Sequence, residues 1–305
     1  MVLISFIFLL PYIFSMLWSG RHDTGLKGET QQSLQEDIVL CLEDERGKLT
    51  MTMEEYLCGY LPLVIPVQYE QECLRAQAVL LRTQVIGAFA RQVAEGKQEF
   101  ILEADTYLSH EQLEEMWGEN NTEYQEKIRQ AVSSTRGIYL TFEGLPIEAC
   151  FFRVSAGRTR SAGTFLGQGY EYLAAVDCPK DYLSQDYLTQ EKYSRTKLEK
   201  LLGGTIAQLS YDDSGYVEWV TIVSSDSGES REYTGEWLRK KLKLSSAHIT
   251  MEEQQDKVFF QVKGAGHGFG MSQFAANEMA AQGADYQTIL SYFFQNITFD
   301  KYLQP

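Results

Sequence analysis

The sequence predicts an α+β fold: one large domain of helices around a β-rich middle, carried behind an N-terminal transmembrane helix. Three observations predict it. Residues Val2 to Trp18 are apolar apart from Ser5, Pro11 and Ser15, a run just long enough, at ~1.5 Å per residue, to cross a hydrocarbon core. Helical spacing of apolar residues dominates from Thr52 to Thr135 and returns after Gln273. Between those stretches lie β-branched and aromatic runs separated by turn residues, without the regular alternation of a parallel α/β sheet.

Each element follows in order. Trp18-Ser19-Gly20-Arg21-His22 is a poor cleavage site, so residues 1–19 read as an uncleaved anchor. Arg21 and Lys27 follow the run and no basic residue precedes it; that balance alone opposes export, and a basic stretch upstream of Met1 would remove the conflict. Residues 20–37 are polar and read as a linker. Residues 38–305 hold no repeat or low-complexity stretch and are expected to fold as one unit. Thr52-Met53-Glu54-Glu55 is a capping box that starts a short helix ending near Gly59. A second helix runs from about Tyr69 to Ala94, with Leu74, Ala78, Leu81, Val85 and Ala88 on one face. Ser109 caps a third through Trp117, and Glu123 to Thr135 makes a fourth. Strands are expected at 137–142, 147–152, 216–224 and 258–262, and helices at 273–281 and 286–294.

With 305 residues, 44% of them hydrophobic and 23% charged, the chain can bury a core and lies outside the disordered class. A net charge of −15 with no long basic run argues against nucleic acid as a partner. The acidity reads as a solubility feature. The five cysteines are odd in number and show no C-x-x-C spacing, which excludes a zinc ribbon or thioredoxin-like motif. Cys58 and Cys73 lie in apolar surroundings and read as small core residues; the sequence leaves any disulfide pairing open.

Two segments carry chemistry. Gly264, Gly266, Gly268 and Gly270 alternate through the first, which permits close backbone approach and positive φ. The run fails the dinucleotide pattern G-x-G-x-x-G, because Phe269 and Met271 occupy the third positions. Alone, it reads as a tight turn holding a satisfied histidine. The second segment runs from Glu54 to Pro66 and continues as Leu74-Arg75-Ala76-Gln77-Ala78-Val79 and Arg82-Thr83. Alone, its polar residues are ordinary solvated helix side chains. Together, and with Gly266–Gln273 followed by Met279-Ala280, Gly283, Tyr286 and Ile289-Leu290, the two resemble the stage II sporulation protein D family. Those are exported proteins that cleave, or in related branches assist cleavage of, the glycan strands of the bacterial cell wall. The resemblance covers roughly residues 38–302 and includes Tyr172–Val176 and Glu236–Ser246.

What the resemblance implies is a single-pass membrane protein whose C-terminal domain is extracytoplasmic and acts on peptidoglycan glycan strands during sporulation. It also implies a role in engulfment, with a cell-wall amidase and other sporulation membrane proteins as partners. The family places a glutamate, read as the general acid, two residues before the proline; here Val64 stands there. A lytic transglycosylase needs one carboxyl group of raised pKa to protonate the glycosidic oxygen. The same group then accepts a proton while the muramic acid 6-hydroxyl closes an anhydro ring. Val64 can do neither, so the catalytic acid is unassigned. Glu70 is the substitute to consider, because Glu72 has a structural role beside Arg75 at the helix start.

Arg75, Gln77 and Arg82 are expected to line one groove with Val64, and with His267, Ser272 and Gln273 they form the glycan-binding candidates. Arginine donors suit glycan hydroxyls and the lactyl carboxylate of muramic acid. Some family members bind zinc through a histidine that precedes a Ser-Gly-Gly-x-Thr pattern. In the matching stretch, Ile147–Thr159, Phe152 takes that place and no cysteine follows until Cys178, so neither a metal nor a cofactor is expected. Other templates fail. His110-Glu111 lacks a second histidine, Ser155 lacks the first glycine of a nucleophile elbow, and no acidic partner is indicated for a Ser272–His267 pair. Two readings result: a lytic transglycosylase with a substituted acid, or a non-catalytic glycan-binding or amidase-enhancing protein.

Overall fold

The computed structural model describes residues 38–302 except 45–46, 98, 104–105 and 163–166. The expected anchor at 1–19 and linker at 20–37 lie outside the described residues. Among the described residues no helix is long and apolar enough to cross a membrane. The fold is mixed α+β, and its contacts divide the chain into two compact units. The first holds the residues up to Cys150, Met279–Ser291 and those from Asn296 onward; the second holds Phe151–Glu278 and Tyr292–Gln295.

The first unit opens with an antiparallel hairpin of β1 (Val39–Asp44) and β2 (Gly47–Thr52), and β3 (Ile101–Glu103) adds in parallel to β1. Helix α1 (Met53–Val64) starts at the expected capping box: Thr52 Oγ1 accepts the Glu55 N–H, and the Glu55 carboxylate accepts the Thr52 N–H at 2.9 Å. It does not end near Gly59. That glycine serves packing, since a Cβ there would meet the Tyr107 ring at 2.3 Å and Leu108 O at 2.6 Å. The helix runs on through Pro62 to Val64. Helix α2 (Gln71–Ala94) follows, then α3 (His110–Trp117) and α4 (Asn121–Ser134). Strand β4 (Ile138–Phe142) lies between β5 (Leu145–Pro146) and β14 (Thr298–Lys301), antiparallel to both.

These elements meet at Arg82 on α2. Its side chain is fully buried, and each of its five N–H groups has an acceptor. Nε and Nη2 donate to the two oxygens of Glu54 on α1, both at 2.8 Å. Nη2 also donates to Val132 O at the end of α4, and Nη1 to Thr135 Oγ1 and Ile138 O. Glu54 in turn accepts the Tyr302 hydroxyl at 3.0 Å and the Gly137 N–H at 3.4 Å. One guanidinium thus joins α1, α2, the end of α4 and the start of β4.

The second unit contains two antiparallel three-stranded sheets. One is ordered β11 (His248–Gln254), β12 (Lys257–Lys263), β7 (Leu188–Ser194); the other is β10 (Ser230–Thr234), β9 (Val217–Ser224), β8 (Gly204–Tyr211). Helices α5 (Arg195–Leu202) and α6 (Gly235–Leu242) pack on them, and Leu198, Ile206, Val220, Leu238, Phe260 and Val262 are part of the resulting core. A short parallel pair, β6 (Phe151–Phe152) and β13 (Met271–Ser272), brings the two ends of this unit together. Helices α7 (Gln273–Ala281) and α8 (Tyr286–Phe293) lie where helical spacing predicts them. Strands β7 and β10 escape sequence reading because they are polar edge strands, and α5 and α6 because two turns give too little periodicity.

Replacing Arg82 by Met leaves Glu54 and the carbonyls of Val132 and Ile138 without their donor. We expect a loss of about 3–5 kcal/mol in unfolding free energy, the cost of breaking a buried ion pair from one side, measured by urea denaturation.

Candidate functional site

The α1–α2 corner is apolar where the resemblance places an acid. Val64 is the last residue of α1 and 7% exposed, and Ile65 and Val67 beyond it are buried as well. The chain then turns, with the Tyr69 N–H donating to Pro66 O at 3.1 Å, and enters α2 at Glu70. A carboxyl group at position 64 would be surrounded by hydrocarbon, which disfavours its charged form and raises its pKa. Glu70 is exposed, and its side chain makes no capping hydrogen bond.

The polar residues of this segment separate into two kinds. Glu72 pairs with Arg75 at 2.5 Å, and its other oxygen accepts the Tyr286 N–H at 3.0 Å, so its structural role is as expected. Arg75 is partly exposed and keeps a cation at the surface near the start of α2. Gln77 and Arg82 do not line a groove: both are 0% exposed. The reason is that α2 is buried almost all round from Cys73 to Ile86, so a polar side chain there faces other elements rather than solvent.

In the second unit the alternating glycines do what their spacing predicts. Gly266 has φ +121°, and a Cβ on it would lie 2.5 Å from that of Phe152; at Gly268, φ +88°, it would strike Arg160 Cδ at 2.8 Å. The turn holds His267, which is 7% exposed. Nδ1 accepts the Phe269 N–H at 3.1 Å, which leaves the proton on Nε2 to be donated to Phe151 O at 3.1 Å. Burial pushes the imidazole down to about 4, so it is neutral at physiological pH. Both ring nitrogens are held by backbone, so His267 is a fixed neutral strut. Phe152, at the place where the resemblance leads one to look for a histidine, packs against its ring. Among the described residues no group of three or more His, Cys, Asp or Glu is placed to hold a metal ion.

Ser272 and Gln273 are also buried. The Ser272 hydroxyl donates to Asp181 Oδ2 at 2.8 Å and accepts the Ala275 N–H at 3.4 Å at the start of α7. Its proton is therefore committed to a carboxylate that no motif indicates. Asp181 also accepts the Ser155 N–H at 2.6 Å, which ties the Val154–Thr159 segment to the glycine–histidine turn. It is fully buried, and Oδ1 has no hydrogen-bond partner among the described residues. Burial raises its pKa, against the lowering effect of hydrogen bonds from Ser155 and Ser272. The same burial pushes the neighbouring Cys178 thiol up to about 12. No spacing rule leads to Asp181 from the motif, since 91 positions separate it from Ser272.

Two buried motifs on a mixed α+β frame, the aliphatic corner before a proline and the glycine–histidine turn, are the features on which the family resemblance rests. A family model described as "Stage II sporulation protein" matches residues 47–142. Stage II sporulation protein D of Bacillus amyloliquefaciens is 31% identical over 256 residues, covering 80% of this chain and 73% of that one. The protein of the same name from Bacillus subtilis (strain 168) is 29% identical over 254 residues, with the same coverage of both chains. The amidase enhancer of Bacillus subtilis (strain 168) is 22% identical over 301 residues, covering 81% of this chain and 40% of that protein. The chain belongs to the stage II sporulation protein D family.

Because the folded-state pKa of Asp181 is raised, its ionisation works against the fold. The stability it contributes is full below the unfolded value of ~3.9 and is lost as pH rises through the folded value. Asp181→Asn keeps an acceptor for Ser155 and Ser272 but cannot ionise. Thermal melts from acid to neutral pH are expected to show the native chain losing stability relative to this variant as pH rises.

Proposed function

We propose that this chain is a sporulation protein, anchored in the cell membrane with its folded part outside the cytoplasm, that engages peptidoglycan glycan strands without cutting them. Val64 carries the reading. At the position of the family's acid stands a buried aliphatic side chain, and general acid–base groups typically contribute ~10²–10⁴-fold to a rate. Glu70 is a poor replacement, because an acid that works near neutral pH is held in apolar surroundings and Glu70 is exposed. The similarity to a protein named amidase enhancer supports a helper role, with a cell-wall amidase as the partner. Arg75 is the candidate glycan contact at the surface of the α1–α2 corner, and Gln77, Arg82, His267, Ser272 and Gln273 act by holding the framework.

The test is incubation of the full chain with glycan strands stripped of their stem peptides, scoring 1,6-anhydromuramic products by mass spectrometry. The native chain is expected to bind the strands and release no product. Product from the native chain that disappears in Glu70→Gln would overturn the non-catalytic reading and identify a substituted acid. Val64→Glu, run in parallel, is expected to gain measurable product if the corner still accepts a strand.

A further inference from the structure

We infer that the outer face of the β8–β9–β10 sheet is a second glycan contact, taking an uncharged N-acetylhexosamine ring; this rests on the glycan-binding reading above. The face is defined by strand register. Trp219 on the central strand is flanked by Ser210 on β8 and Thr234 on β10. The next outward row is Gln208, Thr221 and Glu232. The opposite face of β9 carries Val220 and Ile222 into the core.

Trp219 is 42% exposed, and its indole has no aromatic, cationic or hydrogen-bonding partner among the described residues. Three other aromatics at the surface have a partner over the ring. Trp117 packs edge-on to Tyr124 at 5.7 Å, Trp237 stacks on Tyr233 at 4.1 Å, and Phe259 lies under the Lys192 ammonium at 5.3 Å. Beside the bare indole, the side chains of Gln208, Thr221 and Glu232 make no hydrogen bond to another described group. One amide, one hydroxyl and one carboxylate therefore stand in a row next to an open ring face.

Chemistry selects the occupant. A protein interface needs a contiguous apolar centre, and here every neighbour of Trp219 in these two rows is polar. An anionic polymer meets only Glu232, on a chain of net charge −15. A pyranose ring offers a C–H face to the indole and hydroxyl and amide groups to the polar row. Of the two peptidoglycan sugars, N-acetylglucosamine carries no carboxylate, and it is the one this face fits.

The experiment titrates the full chain with the β-1,4-linked tetramer of N-acetylglucosamine by calorimetry, with co-sedimentation on purified peptidoglycan sacculi alongside. We expect the native chain to bind the tetramer and Trp219→Ala to weaken it at least about tenfold, as truncation of a central tryptophan does. Trp219→Phe, which keeps a flat ring, should retain most of the affinity, and the melting curves of both variants should match the native one. Unchanged affinity in Trp219→Ala, or no binding of the tetramer by the native chain, overturns the inference. If sacculi still pull down the native chain in that event, glycan engagement at the α1–α2 corner stands. If they do not, both readings fall.

Discussion

The buried pair of Glu54 and Arg82 constrains the whole first unit. A guanidinium taken out of water must have every N–H satisfied, and its carboxylate partner must be within reach at a fixed angle. Both conditions are met only when α1, α2, the end of α4 and the start of β4 occupy their places together. Such a pair adds little to net stability beside a hydrophobic alternative, yet it penalises any arrangement that leaves one member alone. The helix that carries Val64 at its end is tied at its start by Glu54, and backbone bonds from Ile65 to Leu61 and from Tyr69 to Pro66 shape the corner itself.

Asp181 has the corresponding place in the second unit. Its single bonded oxygen receives the Ser155 N–H and the Ser272 hydroxyl, and so joins two segments distant in sequence. The family's characteristic residues here are therefore mostly architectural. His267 is a neutral strut, Ser272 a latch and a helix cap, and the glycines are points where backbone and ring touch. What remains available to a ligand is what lies at the surface.

The sequence made some of this readable and hid the rest for physical reasons. The caps of α1 and α3 were legible because Thr52 and Ser109 each stand three residues before a Glu or Gln. The glycine–histidine turn was legible because its glycines recur at every second position. The burial of Arg82 was not. An arginine on a helix normally reads as solvated, and only the near-complete burial of Cys73 to Ile86, invisible to a one-face periodicity, reverses that. Asp181 was hidden because a carboxylate's partner is set by tertiary contact, and Trp219 because strand parity matters only once the sheet's inner face is known.

The pairing of β6 with β13 has a kinetic consequence. The first unit is discontinuous: Thr141 bonds Asp300 across 159 positions, a closure that a free chain makes slowly and at entropic cost. The second unit is nearly continuous, and once it folds, Phe151 and Met271 are neighbours. Most of the intervening chain then no longer counts as an open loop. The closure that β14 must make against β4 is then much shorter than the 159 positions between Thr141 and Asp300 suggest.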